Sequence, residues 1–233
     1  HQSQAEKNAI AWKTAGTAAL GFGAVGAAAF GGMIKTAADF ESKMSSVQAA
    51  TMASSGEIEQ LREAALKAGA DTAFSASEAA QGIEELAKAG VSTSDILNGG
   101  LRGALDLAAS GNISVAEAAE SAASAMTQFK LEGSSVPHIA DLLAAAAGKA
   151  QGGVHEMSQA LNQAGLIASG AGLSIEETVG TLAAFASAGL LGSDAGTSFK
   201  TMLQKLQNPS KQSAQLMKEL GLHLYDASGN IVG

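Results

Sequence analysis

The stretch FSASEAAQGIEELAKAGVS, residues 74–92, carries both the start signal and the stop signal of an α-helix. Ser75 and Glu78 have the spacing of a capping box. In this motif the serine oxygen accepts the third backbone N–H, and the glutamate reaches back to the N–H of the serine. Gly90 stands where a helix commonly ends on a left-handed residue. The stretch therefore predicts one short helix, over residues 76–89.

The same capping spacing recurs three times along the chain, at Ser54 with Glu57, Ser114 with Glu117 and Ser174 with Glu177. Gly69 and Gly189 supply further stop signals. Together with Pro137 near a first turn and Asn208-Pro209 as a break, these signals divide the chain into helices. The predicted helices are 57–68, 76–89, 94–109, 115–130, 136–149, 154–168, 175–188, 194–207 and about 210–220.

Three of these segments, which begin at Ser75, Ser114 and Ser174, are variants of one helix-plus-turn unit. The second interval between these caps is much longer than the first, so the period is not strict. We interpret the pattern as recurring helical hairpins and not as an established solenoid.

The composition supports an all-α fold. Of 233 residues, 51 are alanine and 28 are glycine, while aromatic residues make up 4%. Small side chains let helices approach closely, whereas a β-sandwich needs runs of β-branched and aromatic residues. We predict a multi-helix bundle of capped helical hairpins.

Charge and cysteine content exclude several classes of function. The net charge is −8, and the 14 Lys and Arg residues form no basic stripe, so we expect no specific nucleic-acid partner. The sequence contains no cysteine, which excludes disulfides, thiolate metal sites and cysteine nucleophiles.

A run of 21 uncharged residues lies between Lys13 and Lys35 and predicts a long Gly/Ala-rich helix. Small residues recur in it every four positions, which makes a ridge suited to close helix association. The run is also long enough to span a bilayer, although its few bulky apolar residues make insertion marginal. The ridge comprises Ala15, Ala19, Gly23, Ala27 and Gly31.

Two motifs resemble enzyme sites but lack essential parts. The sequence GFGAVG, residues 21–26, has the dinucleotide-binding glycine spacing, with Asp39 near the expected acidic position. No β-branched run precedes it to form the required strand. The sequence VHEMSQ, residues 154–159, begins like a zinc-protease helix but has Gln159 in place of the second histidine. We therefore predict no catalytic residue, no metal site and no cofactor.

We divide the chain into three regions. Residues 1–54 hold the Gly/Ala-rich helix, and 55–221 form a helical core domain. Residues 222–233 form a short β-hairpin around Ser228-Gly229 and the start of the following region. Because the sequence starts at His1 and stops at DASGNIVG, we expect it to be a piece of a longer protein.

From about Lys35 to Val232 the chain resembles the core region of phage tail tape measure proteins. Six segments carry this resemblance in the same order, and the apolar run before them also resembles the segment that often precedes this core. They are AADFESKMSSVQAAT (37–51), ADTAFSASEAAQGIEELAKAGVS (70–92), ILNGGLRGALDLAASGNISVAEAAE (96–120), HIADLLAAAAGKA (138–150), GLSIEETVGTLAAFASAGLLGSDAGTSFKTMLQKL (172–206) and LGLHLYDASGNIV (220–232).

The resemblance implies a structural role without catalysis. Such chains lie in the tail tube lumen, set tail length during assembly in the host cytoplasm, and leave ahead of the DNA. Implied partners are further copies in a small helical bundle, such as a trimer, the tail tube, and tail tip or baseplate proteins. Contact with the host membrane during ejection is also implied. The alternatives are a membrane-active helical protein unrelated to tails, a dinucleotide-using enzyme, and a generic helical scaffold.

Overall fold

A computed structural model of the chain describes the backbone of residues 24–149 and 151–221, with side chains from Lys35 onward. The described part is built from α-helices and contains no strand, so the prediction of an all-α fold is confirmed for it. The ten helices are α1 (Ala24–Thr51), α2 (Ser55–Asp71), α3 (Ala76–Lys88), α4 (Leu101–Gly111), α5 (Val115–Gln128), α6 (Val136–Lys149), α7 (Gly153–Gly170), α8 (Ile175–Ser187), α9 (Gly192–Gln207) and α10 (Lys211–Glu219).

The observed helix bounds lie within a few residues of the predicted ones except in the segment before α4. There the prediction of one helix over 94–109 is wrong. A single turn, Thr93–Asp95, leads into a π-helical turn, Ile96–Gly100, and only then into α4. The backbone leaves helical geometry at Gly99, whose φ is 139°. A β-carbon there would lie 3.0 Å from Pro137 Cγ, so the kink seats α4 against the start of α6.

Two of the three predicted glycine stops are present. Gly90 and Gly189 follow the ends of α3 and α8 with φ of 86° and 90°. The third is wrong, because α2 continues past Gly69 to Asp71. A β-carbon at Gly69 would lie 2.6 Å from the backbone nitrogen of Ala76. Glycine is needed there for the close approach of α3 and not for a left-handed turn.

In chain order the helices form five successive hairpins, α1–α2, α3–α4, α5–α6, α7–α8 and α9–α10. The last one is the least packed, because α10 makes few contacts with α9 or with any other described helix. The first helices of the second to fifth hairpins have their N-caps at residues 75, 114, 152 and 191, which are almost evenly spaced. The second helices of the hairpins, with the short turns that lead into α4 and α6, start after residues 54, 92, 132, 174 and 210. The described chain is therefore a helical repeat with a period of about 39 residues.

Successive hairpins pack side by side in two layers, an arrangement that we call the hairpin stack. In the layer of first helices, α3 lies between α1 and α5, and α7 lies between α5 and α9. In the other layer, α6 lies between α4 and α8. The layers meet because each second helix from α2 to α8 also contacts the next first helix. Each hairpin is thus held mainly by its neighbours, as in solenoid proteins.

One continuous apolar core runs through the stack from Phe40 to Leu203. Much of it is alanine, and Leu61, Leu143 and Phe199 are among its largest fully buried side chains. Phe40 comes from the region that the sequence analysis placed ahead of the core domain, so α1 contributes to this core. Helix α10 contributes no buried residue. The predicted β-hairpin, 222–233, lies outside the described residues.

Candidate assembly surfaces

The predicted capping residues lie at helix starts. At Ser54, Ser75 and Ser174 both hydrogen bonds of the capping box are present. The backbone N–H of Ser75, for example, donates to the Glu78 carboxylate at 2.7 Å, and this bond is the main reason that the pKa of Glu78 is lowered.

The fourth predicted capping pair differs from the other three. Ser114 accepts the backbone N–H of Glu117 at 3.1 Å. The Glu117 carboxylate turns away from the cap and contacts His155 Nδ1 in the next hairpin, with 2.5 Å between oxygen and nitrogen. This carboxylate is the main reason that the pKa of His155 is raised. At this helix start only the serine half of the capping box is present, and the Glu117 carboxylate contacts the next hairpin instead.

A second histidine–carboxylate contact joins α6 to α8, in the layer of second helices. His138, in the first turn of α6, lies 2.7 Å from the Glu176 carboxylate in the first turn of α8. This contact is the largest cause of the lowered pKa of Glu176. Both pairs join residues 38 apart. They therefore connect nearly equivalent positions of successive repeats.

A polar cluster spans α5 and α7 on the layer of first helices. Ser124 donates to the side-chain oxygen of Asn162 at 2.8 Å, and the Gln128 amide nitrogen donates to the same oxygen at 3.2 Å. The Gln128 oxygen points to Gly165 and has no hydrogen-bond partner in the described part of the chain. The cluster thus joins α5 to α7 through side-chain hydrogen bonds.

The contact between α7 and α9 depends on glycine. A β-carbon at Gly196 would lie 2.2 Å from the carbonyl oxygen of Ala160 and 2.7 Å from Gln163 Cβ. Such a distance places the backbones of the two helices almost in contact. Small residues therefore set the spacing of the stack at this point.

The last hairpin leaves a groove open between α9 and α10, which we call the C-terminal groove. It has a volume of about 590 Å³ and is lined by apolar and polar residues in equal number. The apolar ones are Met202, Leu206, Pro209 and Met217, and the polar ones are Lys205, Asn208, Ser210 and Ser213. Met202 is 42% exposed, although it lies on a helix whose opposite side is buried.

The predicted helix-association ridge cannot be placed on this structure. Ala15, Ala19 and Gly23 lie outside the described residues, and of Ala27 and Gly31 only the backbone, within α1, is described. The ridge remains a prediction. Among the residues that are described, no helix is both long and apolar enough to cross a membrane.

The motifs that resembled enzyme sites gain no support in the described regions. Residues 21–23 of the glycine motif lie outside the described residues, and residues 24–26 begin helix α1. His155 of the VHEMSQ motif contacts Glu117 and, through its other nitrogen, Gln159 at 2.8 Å. No group of three or more potential metal ligands occurs within 35–149 and 151–221.

The contacts between hairpins were not predicted from the sequence. The interval between the caps Ser75 and Ser114 is visible in the sequence. Nearly the same interval separates Ser114 from Gly152 and Gly152 from Leu191, but glycine and leucine carry no side-chain oxygen that would mark them as caps. Three of the polar pairs that join hairpins have about this spacing in the sequence, namely Glu117 with His155, His138 with Glu176, and Ser124 with Asn162.

Comparison with known proteins gives a consistent family. The family model described as phage-related minor tail protein matches residues 62–233. A tape measure protein of Pneumococcus phage Dp-1 is 37% identical over 199 residues, which are 85% of this chain and 17% of that protein. A probable tape measure protein of Escherichia phage P2 is 32% identical over 217 residues, covering 92% of this chain and 26% of that protein.

The chain thus spans less than a third of the length of these two relatives. No solved structure matches it significantly. The match covers the helical hairpins from α2 onward, where five of the six quoted segments lie. The predicted resemblance to phage tail tape measure proteins is confirmed, and the chain belongs to the family of phage-related minor tail proteins.

Proposed function

We propose that the chain is a non-catalytic structural segment of a tape measure protein that takes part in setting tail length. The observation that carries the proposal is the family match over the stacked hairpins. The described residues support it, because successive hairpins pack on one another through helix-to-helix contacts. In this proposal the parent protein occupies the tail tube lumen during assembly and contacts tube and tip or baseplate proteins.

The ruler role is tested by changing the length of the parent protein outside residues 1–233. An inserted 20-residue helical segment is expected to lengthen the tail by about 30 Å, because a helix rises about 1.5 Å per residue. Tail lengths are measured by electron microscopy. Tails of unchanged length would contradict the ruler role. As the control, a scrambled helical insertion of the same length should lengthen the tail equally, because a ruler depends on the length of the helix and not on its sequence.

The stack itself offers a second measurement inside the chain. Duplicating residues 114–152 adds one repeat of about 39 residues. If the chain is drawn out as single helices in the lumen, the tail grows by about 58 Å. If the stack stays folded, the one added hairpin lengthens the stack by only about 10 Å, which is the distance between the axes of packed helices. We expect the smaller value, because each hairpin buries its apolar residues against its neighbours.

Release ahead of the DNA is the later step of the proposal. An acidic chain, with a net charge of −8, avoids binding the acidic DNA that follows it. The apolar run between Lys13 and Lys35 is the part that we expect to meet the host membrane, and its ridge of small residues is the part that we expect to associate with other copies. Leakage of dye from liposomes exposed to the full chain tests the membrane step, and intact liposomes would contradict it.

A further inference from the structure

The side-chain hydrogen bonds between different hairpins are concentrated at one place in the stack. Within residues 37–149 and 151–221, all of them cross from the third hairpin, α5–α6, to the fourth hairpin, α7–α8. We call the contact between these two hairpins the polar joint. The bonds join Glu117 to His155, His138 to Glu176, and Asn162 to both Ser124 and Gln128. The polar joint is thus chemically unlike the other contacts between successive hairpins.

The polar joint is also more loosely packed than the contacts on either side of it. In the layer of first helices, α5 contacts α7 less extensively than α3 contacts α5 or α7 contacts α9. A β-carbon at Gly82 of α3 would lie 2.6 Å from Val115 of α5, and Gly196 of α9 meets the backbone of α7. At the polar joint, Gly165 faces the side chain of Gln128, which can move away. The stack therefore consists of two well-packed blocks, α1 to α6 and α7 to α9.

The polar contacts restrain motion between the two blocks only weakly. The side chains of His138 and Glu176 are 59% and 52% exposed, and those of His155 and Glu117 are 53% and 37% exposed. Water competes for such pairs, so they stabilise the contact little. The side-chain oxygen of Gln128 is buried without a hydrogen-bond partner among the described residues. Bending at the joint that admits water to this oxygen satisfies it, which favours the bent state.

The backbone that leads into the fourth hairpin also permits bending. Helices α3 and α5 begin at Ser75 and Ser114, whose side chains each accept a backbone N–H. Helix α7 begins instead at Gly152, which has a φ of 105° and no side-chain cap, and Gly153 follows with a φ of 80°. Glycine enters and leaves the left-handed region without steric cost, so two in succession let the chain change direction. Small residues at the end of a helix are common at hinges.

We propose that bending of the described hairpin stack is concentrated at the polar joint, about which α1 to α6 and α7 to α9 move as two rigid blocks. A hinge at one joint redirects the far part of the stack while every hairpin stays folded. The Glu117, His138 and Asn162 contacts limit the amplitude of this motion, because each of them joins one block to the other. This motion does not depend on the role in tail length.

Spin labels on introduced cysteines test the hinge, because the sequence contains no cysteine. Two double variants of the full chain are matched, since each places labels at exposed positions of first helices that are two hairpins apart. Gln48→Cys with Glu120→Cys lies within the first block, and Glu120→Cys with Ser198→Cys crosses the polar joint. Double electron–electron resonance should give a distance distribution about twice as wide for the crossing pair, because only that pair spans the hinge. Equal widths would overturn the proposal.

The restraining role of the polar contacts is tested on the same labelled chains. Glu117→Ala with Asn162→Ala removes contacts at the joint and keeps the Ser114 cap, so the crossing distribution should widen further while the first-block distribution stays unchanged. Glu41→Ala is the matched control, because Glu41 pairs with Arg62 inside the first hairpin, and its loss should widen neither distribution. Circular dichroism checks that each variant keeps its helices. Equal widening of both label pairs, or of neither, would overturn the restraint.

Discussion

Replacing Gly196 with alanine tests whether close backbone contact holds the last hairpin on the stack. The new β-carbon would lie 2.2 Å from the carbonyl oxygen of Ala160, a backbone atom of α7 that cannot rotate away. To relieve this clash, the two helices must separate by about 1 Å. A gap of about that size removes a quarter to a half of the dispersion energy of each atomic contact across the interface.

The expected magnitude follows from two opposing terms. Overpacking in a close contact costs about 1–3 kcal/mol, and a clash with backbone belongs at the upper end. Alanine in a helix gains about 1 kcal/mol relative to glycine. We therefore expect the free energy of unfolding to fall by about 2 kcal/mol. The loss should concentrate in α9 and α10, because a solenoid hairpin contacts mainly its neighbours.

The assay is urea unfolding followed by circular dichroism, with Gly180→Ala as the matched control. Gly180 also lies within a helix, but a β-carbon there would meet nothing within 4 Å. Its replacement should raise the free energy of unfolding by up to about 1 kcal/mol. If Gly196→Ala proves as stable as Gly180→Ala, the close contact between α7 and α9 does not hold the hairpin in place.

Three further substitutions give independent checks. Ser75→Ala removes a complete capping box and should lower the free energy of unfolding by about 0.5–2 kcal/mol in the same urea assay. Leu143→Ala should cost about 2–5 kcal/mol, because Leu143 is fully buried, whereas Leu166→Ala should cost little; similar losses at both would contradict the assigned core. His155→Gln removes an imidazole whose pKa is raised by Glu117 in the folded protein. The protonated His155 of the wild type therefore stabilises the fold fully below the unfolded pKa of about 6.5, and this stabilisation is lost as the pH rises through the folded pKa. The advantage of wild type over His155→Gln should therefore shrink between pH 5.5 and 8, by at most about 1 kcal/mol since the pair is exposed, and a constant difference across that range would contradict the ion pair.

The helices were predictable because most of their starts are marked by capping residues that are close together in the sequence. Ser54, Ser75 and Ser174 each reach only three residues ahead, and a bond of that range needs no knowledge of the rest of the fold. The phage tail family was predictable for a different reason, since the order of six segments is preserved along the chain.

The repeat was not predictable from the same signals. Ser75 and Ser114 start first helices of their hairpins, whereas Ser174 starts a second helix, so comparing all three gave two unequal intervals. The third and fourth equivalent starts lie at Gly152 and Leu191, which offer no side-chain cap. Gly69 and Gly196 show the same limit, because the reason for glycine at each is a neighbouring backbone outside its own helix.

The layered arrangement of the hairpins has a mechanical consequence. Tension applied to the chain at the α10 end acts first on the last hairpin, because α9 and α10 have no following hairpin in the described structure to share the load. Removing that hairpin exposes the next one to the same force. Each release of about 39 residues would yield about 130–140 Å of extended chain. A single-molecule stretching trace should therefore rise and fall in similar steps, one hairpin at a time.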